Sequence, residues 1–214
     1  MPKQNHQNSH QLVLASASPR RLDLLGQIHI IPDQILPADS DETPHHQERP
    51  NNYALRMACE KALLVANRLA GARAGAFILA GDTVVAAGRR ILPKAETEQQ
   101  ARDCLSILSG RQHRVYGGIA LCLPDGSLRH RLVTSHVCFR RLSALDIDHY
   151  VDRGDWQGKA GGYAIQGLAA RFVRAIDGSY SNIVGFSLYD VAAMLDAAGW
   201  RGTDQLPSQN PPSA

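Results

Sequence analysis

Asp82 closes the apolar run of AFILAGDTVVAAG, residues 76–88. A carboxylate at the end of a buried strand sits where α/β folds place a ligand, a metal ion or a water. It can equally cap a turn. Earlier in the chain, SDETP supplies Asp39, Asp41 and Glu42. Such carboxylates repel a phosphate unless a cation lies between them, so Glu42 is a candidate to share a divalent cation with Asp82. The other reading is a solvated acidic loop. Lys61 in ACEKA and Lys94 in ILPKAE could neutralise phosphate, or be ordinary surface lysines.

The stretch LVLASASPRRLDLLG, residues 12–26, supplies a second kind of chemistry. A strand turning into a helix directs backbone N–H groups beyond the strand end, and a helix start favours an anion. Ser16 and Ser18 add hydroxyls. Arg20 and Arg21 add guanidinium groups, which match phosphate oxygens bidentately. A capped surface helix with two solvated arginines is the plainer alternative. Neither GxxxxGK[ST] nor GxGxxG is present.

KAGGYAIQG, residues 159–167, has three glycines around Tyr163. Close approach of backbone to a ligand would explain them. Gln166 carries both a donor and an acceptor and can read the edge of a base.

The elements that must position these residues alternate. Residues 12–16 read as a strand, followed by a helix from Pro19 that Gly26 can end. Residues 28–36 suit an edge strand, 37–50 an acidic loop, and 51–70 a helix with Leu55, Ala58, Ala62, Val65 and Leu69 inward. GARAG separates it from the strand at 76–88. A capping box, Thr97 to Gln100, opens a helix that Gly110 stops. Two long strands over 113–143 turn at Asp125–Gly126. Ser143 caps a helix over 144–152, ARFVRAIDG reads as a strand, and Ser187 with Asp190 forms a capping box for the last helix.

Composition narrows the classes. In 214 residues, 44% are hydrophobic and the net charge is +3, with no basic run suited to a nucleic acid polymer. No apolar stretch is long enough for a membrane span and no apolar leader opens the chain, so the expected location is the cytoplasm. Cys59, Cys104, Cys122 and Cys138 lack CxxC spacing and read as buried free thiols. Neither HExxH nor a Cys/His cluster favours zinc; oxygen ligands suit Mg²⁺ or Mn²⁺.

Taken in order, LVLASASPRRLDLLG, DET, EKA, AGDTVV, LPK, LSGRQHRV, KAGGYAIQG and DGSYSNIVG resemble the Maf family of nucleoside triphosphate pyrophosphatases. The resemblance implies an α/β fold of the Maf/inosine-triphosphatase-like kind: an elongated mixed β-sheet, flanking helices and a cleft between two lobes. It implies one catalytic domain over 12–200, between a disordered tail at 1–11 and a flexible one at 201–214. It also implies release of pyrophosphate from a nucleoside triphosphate with a divalent metal, and a homodimer. Carried over residue by residue, Ser16, Arg20 and Arg21 bind phosphate. Asp82, Glu42, Lys61 and Lys94 are catalytic, with Asp82 and Glu42 on the metal, and Gln166 binds the base. SPRR and KAGGYAIQG are similar to the group acting on dTTP and UTP. The alternatives are a 7-methyl-GTP or broad-specificity pyrophosphatase, and a non-catalytic nucleotide-binding regulator. The resemblance has two departures: Gly81 stands where alanine is common in the family, and Phe186–Ser187 where leucine and proline are frequent.

Overall fold

Strands that are apolar on both faces need cover on both faces, and that requirement organises the chain. The computed structural model describes residues 11–70 and 75–202. Most of both expected tails, 1–10 and 203–214, and residues 71–74 of GARAG lie outside the described residues. Strand β1 (Leu12–Leu14) runs parallel to the start of β3 (Phe77–Ala87), while the two-residue β2 (Gln34–Ile35) lies along its other edge. The remaining pairings are antiparallel: β3 with β5 (Gln112–Cys122), β5 with β6 (Leu128–Phe139), and β6 with β7 (Val173–Asp177). Short β4 (Arg90–Leu92) folds back on the end of β3. The result is the expected mixed sheet, of seven strands in the order β2-β1-β3-β5-β6-β7 with β4 beside β3.

Helix α2 (Pro50–Leu69) covers one face through Ala54, Ala58, Ala62 and Val65, all buried. Small side chains let its backbone come close. On the sheet, Gly118 completes that approach, because an added Cβ there would lie 2.1 Å from the Ala54 carbonyl oxygen. Gly118 is also the cross-strand neighbour of Asp82. The tightest helix–sheet contact therefore stands beside the candidate carboxylate, with Lys61 two turns along the helix. The other face is covered by α1 (Pro19–Gln27), α5 (Tyr180–Val184) and α6 (Leu188–Ala197). There Leu24, Val184 and Leu195 belong to one core with Leu14, Leu79 and Ile119. Helices α3 (Glu98–Leu108) and α4 (Ala144–Asp152) pack on each other.

Several local expectations are corrected. Gly26 lies inside α1, and the chain leaves through His29, whose φ of 55° is the left-handed turn. Thr97 and Gln100 form their capping box, and Ser143 forms another with Asp146. Ser187 does not cap in that way: its hydroxyl donates to Asp190 Oδ2 at 2.5 Å, and Asp190 pairs with Arg131. In ARFVRAIDG only Val173–Asp177 is strand; Leu168–Phe172 is a 3₁₀ turn. Helix α5 falls in a segment given no element from sequence; Ser179 caps it. All four cysteines are free, but only Cys104 and Cys122 are buried.

If the α2–β5 contact positions Lys61, Gly118→Ala will cost about 1–3 kcal/mol through overpacking against backbone that cannot yield. Urea unfolding measures this, and turnover should fall with it. An unchanged unfolding midpoint would contradict the close packing.

Candidate active site

Pairing to β1 ends at Leu79 and pairing to β4 begins at Val85. Between them, residues 80–84 of β3 have β5 on one side and no strand on the other. A cleft of about 970 Å³ opens over this gap. Asp82 and Thr83, adjacent on the strand, point to opposite faces, and both line it. Its walls come from residues 15–21, Glu42, Lys61, Lys94, residues 154–167 and the end of α5.

Lys61 joins the two candidate carboxylates. Its Nζ lies 2.7 Å from Asp82 Oδ1 and 2.6 Å from Glu42 Oε1. The Lys61 and Asp82 side chains are nearly buried, while that of Glu42 is partly exposed. Lys94 Nζ donates to Glu42 Oε2 at 2.5 Å. In this structure an ammonium, that of Lys61, lies between the two carboxylates. Burial pushes the Glu42 carboxyl up, but hydrogen bonds from Lys61 and Lys94, with their charges, hold it at about 2. The acidic loop is fixed around it: Tyr53 donates to the Glu42 carbonyl at 2.6 Å, and Arg56 grips Glu48 and the Thr43 carbonyl. Asp41 turns back to the Thr43 N–H, and Asp39 lies at the rim near Arg68.

At the other end, Ser18 is the N-cap of α1 but makes no side-chain cap bond. Ser16 Oγ accepts from Arg21 Nη1 at 2.9 Å and from the Ser18 N–H at 3.2 Å. Arg21 is a strut: Nε donates to the Gly185 carbonyl at 3.0 Å and Nη2 to Thr83 Oγ1 at 3.1 Å. Three of its five N–H groups are thereby used. Arg20 is freer. Its half-buried guanidinium lines the cleft, and its Nε is buried without a partner. Desolvation lowers the pKa of both arginines.

Packing fixes part of the glycine-rich segment, and the rest lines the cleft. Gly161 has φ of +67°, and a Cβ there would meet Val85 at 2.7 Å. The segment hydrogen-bonds along the Lys94 strand end, Ala95 N–H to the Lys159 carbonyl and Gly161 N–H to the Pro93 carbonyl. This brings Lys159 into the same wall as Lys94. Gln166 is exposed on the cleft wall, with no side-chain hydrogen bond among the described residues. Ser16, Ser18, Arg20, Arg21, Asp39, Glu42, Lys61, Asp82, Lys94 and Gln166 all line this one cleft, while Asp41 does not. Thr83, Asp155 and Lys159 line it too and were not singled out as site residues. Thr83 could have been read from its place beside Asp82; Asp155 carries no comparable mark.

The sequence model of a family described as Maf-like protein matches residues 11–198. The chain belongs to the Maf family. A dTTP/UTP pyrophosphatase of Paramagnetospirillum magneticum is 61% identical over 88% of this chain and 97% of its own length. Proteins of the same name from Rhodospirillum rubrum and Caulobacter vibrioides are 56% and 55% identical, over 94% and 89% of this chain and 93% and 96% of their own lengths. Among the described residues no group of three or more His, Cys, Asp or Glu side chains could hold a metal, and no helix is long and apolar enough to cross a membrane.

Behind the wall, His113 Nε2 meets the Tyr163 hydroxyl at 2.9 Å, while Nδ1 is buried without a partner. Burial lowers the imidazole from 6.5 to about 4. Below pH 6.5 the unfolded chain takes up a proton that the folded one refuses. Stability is therefore full above 6.5 and declines as pH falls, by up to about 3 kcal/mol near pH 4. Urea unfolding at pH 7 and 4.5 should show a drop that is smaller in His113→Gln. Equal drops in both proteins would contradict this.

Proposed function

We propose that this chain hydrolyses dTTP and UTP to the nucleoside monophosphate and pyrophosphate. The observation that carries the reading is a single cleft with a carboxylate–lysine–carboxylate centre, cationic walls and an uncapped helix start, in a chain more than half identical to dTTP/UTP pyrophosphatases. A nucleoside triphosphate substrate would place the enzyme with the cytoplasmic nucleotide pool.

In this reading the α1 N-terminus, Ser16 and Arg20 bind the polyphosphate, with Lys94 and Lys159 along the opposite wall. Arg21 keeps Ser16 and Thr83 in place and adds charge. Asp82 orients a water and takes its proton. The water oxygen bonds to the α-phosphorus, the α–β phosphoanhydride bond breaks, and pyrophosphate leaves with the electron pair. Lys61 fixes Asp82, and the surrounding cations stabilise charge developing on the phosphates. Gln166 reads the O4/N3–H edge common to uracil and thymine.

A divalent cation, Mg²⁺ or Mn²⁺, fits the donor set. Such ions take one or two carboxylates and complete their shell with substrate phosphate oxygens and water. Asp82 and Glu42 supply that number, so a third protein ligand is unnecessary. When bound, the cation would neutralise phosphate charge as a Lewis acid.

One observation favours a second reading. Asp155 Oδ2 accepts the Leu168 N–H at 3.1 Å and stands against Gly167, next to Gln166. A carboxylate there suits a cationic base such as 7-methylguanine. The identities of the relatives weigh towards pyrimidines.

Purified protein with dTTP and Mg²⁺ or Mn²⁺ should give dTMP and pyrophosphate, and EDTA should stop the reaction; dTDP with orthophosphate would overturn the assignment. Asp82→Asn should lower kcat by roughly 10²-fold or more while dTTP still binds. Binding without turnover by the wild type would instead support a regulator. In a panel of dTTP, UTP, CTP, GTP and 7-methyl-GTP, kcat/KM should be highest for dTTP or UTP. A maximum at 7-methyl-GTP would transfer the base assignment to the second reading.

A further inference from the structure

Gly81 of β3 and Phe186, which follows α5, touch each other. A Cβ added to Gly81 would stand 2.3 Å from Phe186 Cε1 and 3.1 Å from its Cδ1. The Phe186 ring, 1% exposed, therefore occupies the space that any larger residue at 81 would claim. Its other contact is with the site: the Arg21 guanidinium carbon lies over the ring, 5.2 Å from its centroid. A guanidinium over an aromatic face is attracted to it and held with its plane fixed.

We propose that Phe186 is a positioning residue for Arg21, and that Gly81 is the residue that admits it. The layers run in order from the β3 backbone at Gly81, through the ring, to the guanidinium. Arg21 then reaches three ways, to Ser16 Oγ, Thr83 Oγ1 and the Gly185 carbonyl. Gly185 directly precedes Phe186, so the residue that supplies the shelf and the one that accepts from Nε move together. The room around Gly185 is also limited, since a Cβ there would meet Arg21 Cγ at 3.2 Å. The ring thus fixes the height at which Arg21 crosses the cleft floor, and with it the Ser16 hydroxyl at the phosphate end. An alanine at 81 would push the ring into the guanidinium. A leucine at 186, with glycine kept at 81, would leave the arginine without its support.

The inference rests on the pyrophosphatase reading, and wild-type turnover of dTTP tests that reading by itself; ratios among variants test the pairing. Gly81→Ala should lower kcat/KM at least about 10-fold, and Phe186→Leu about 5- to 10-fold, mostly through a higher KM, because the phosphate-binding turn is displaced. The Gly81→Ala/Phe186→Leu double variant should return to within about 3-fold of wild type, since methyl and isobutyl groups refill the same space. In an Arg21→Lys background, Phe186→Leu should add less than about 2-fold. A double variant no better than Gly81→Ala would overturn the pairing. So would a Phe186→Leu effect of equal size with arginine or lysine at 21. If Gly81→Ala alone does not fold, an active double variant is the rescue, and a double variant that also fails to fold overturns the proposal.

Discussion

One buried ammonium between two carboxylates sets the terms for the rest of this molecule. Removing Lys61 and Asp82 from water costs several kcal/mol per charge unless each finds a close partner. The 2.6 and 2.7 Å contacts provide those partners, and they require α2 to approach β3 and β5 closely. Alanine along the helix and Gly118 on the sheet permit that approach. The acidic loop must then hold Glu42 over the same lysine, which is why Tyr53 and Arg56, also on α2, are spent on the loop backbone and on Glu48. Helix, strand and loop converge because one charge cluster needs all three.

The sheet supplies the place. A strand whose neighbour stops short exposes a stretch of edge, and β3 between Leu79 and Val85 is such a stretch. Segments distant in sequence reach it from different directions: the α1 turn from β1, the lysine-bearing ends of β4 and the glycine-rich segment from one wall, α5 from beneath. The positive charges lie mainly on the walls and the paired carboxylates at the centre. This layout attracts a polyphosphate while keeping an anionic group to handle a water.

Much of this was legible in the sequence, for identifiable reasons. Strong signals came from periodicity and caps: FILAG needs cover on both faces, and Thr97–Gln100 declares a helix start. The site residues were legible as a set through their order along the chain, and each does line the cleft. Their partners were not. Nothing in the sequence shows that Lys61 bridges Asp82 and Glu42, or that Arg21 is consumed in bracing Ser16 and Thr83, because such contacts join residues up to 164 positions apart. The packing role of Gly161 was not legible for a related reason: it rests on positive φ and contact with Val85, and the contact is not a local property. Helix α5 was missed because five residues carry too little periodicity.

The central claim is that Lys61 is held in place by compensation of charge. The direct measurement is equilibrium urea unfolding of Lys61→Met beside the triple variant Lys61→Met/Glu42→Gln/Asp82→Asn. The single change leaves buried Asp82 without its ammonium, beside a Glu42 still held by Lys94, and should cost about 3–5 kcal/mol. The triple change removes the charges together and should recover most of that stability, while dTTP turnover stays lost. A triple variant as unstable as Lys61→Met would show that charge pairing is not what holds the centre of this site together.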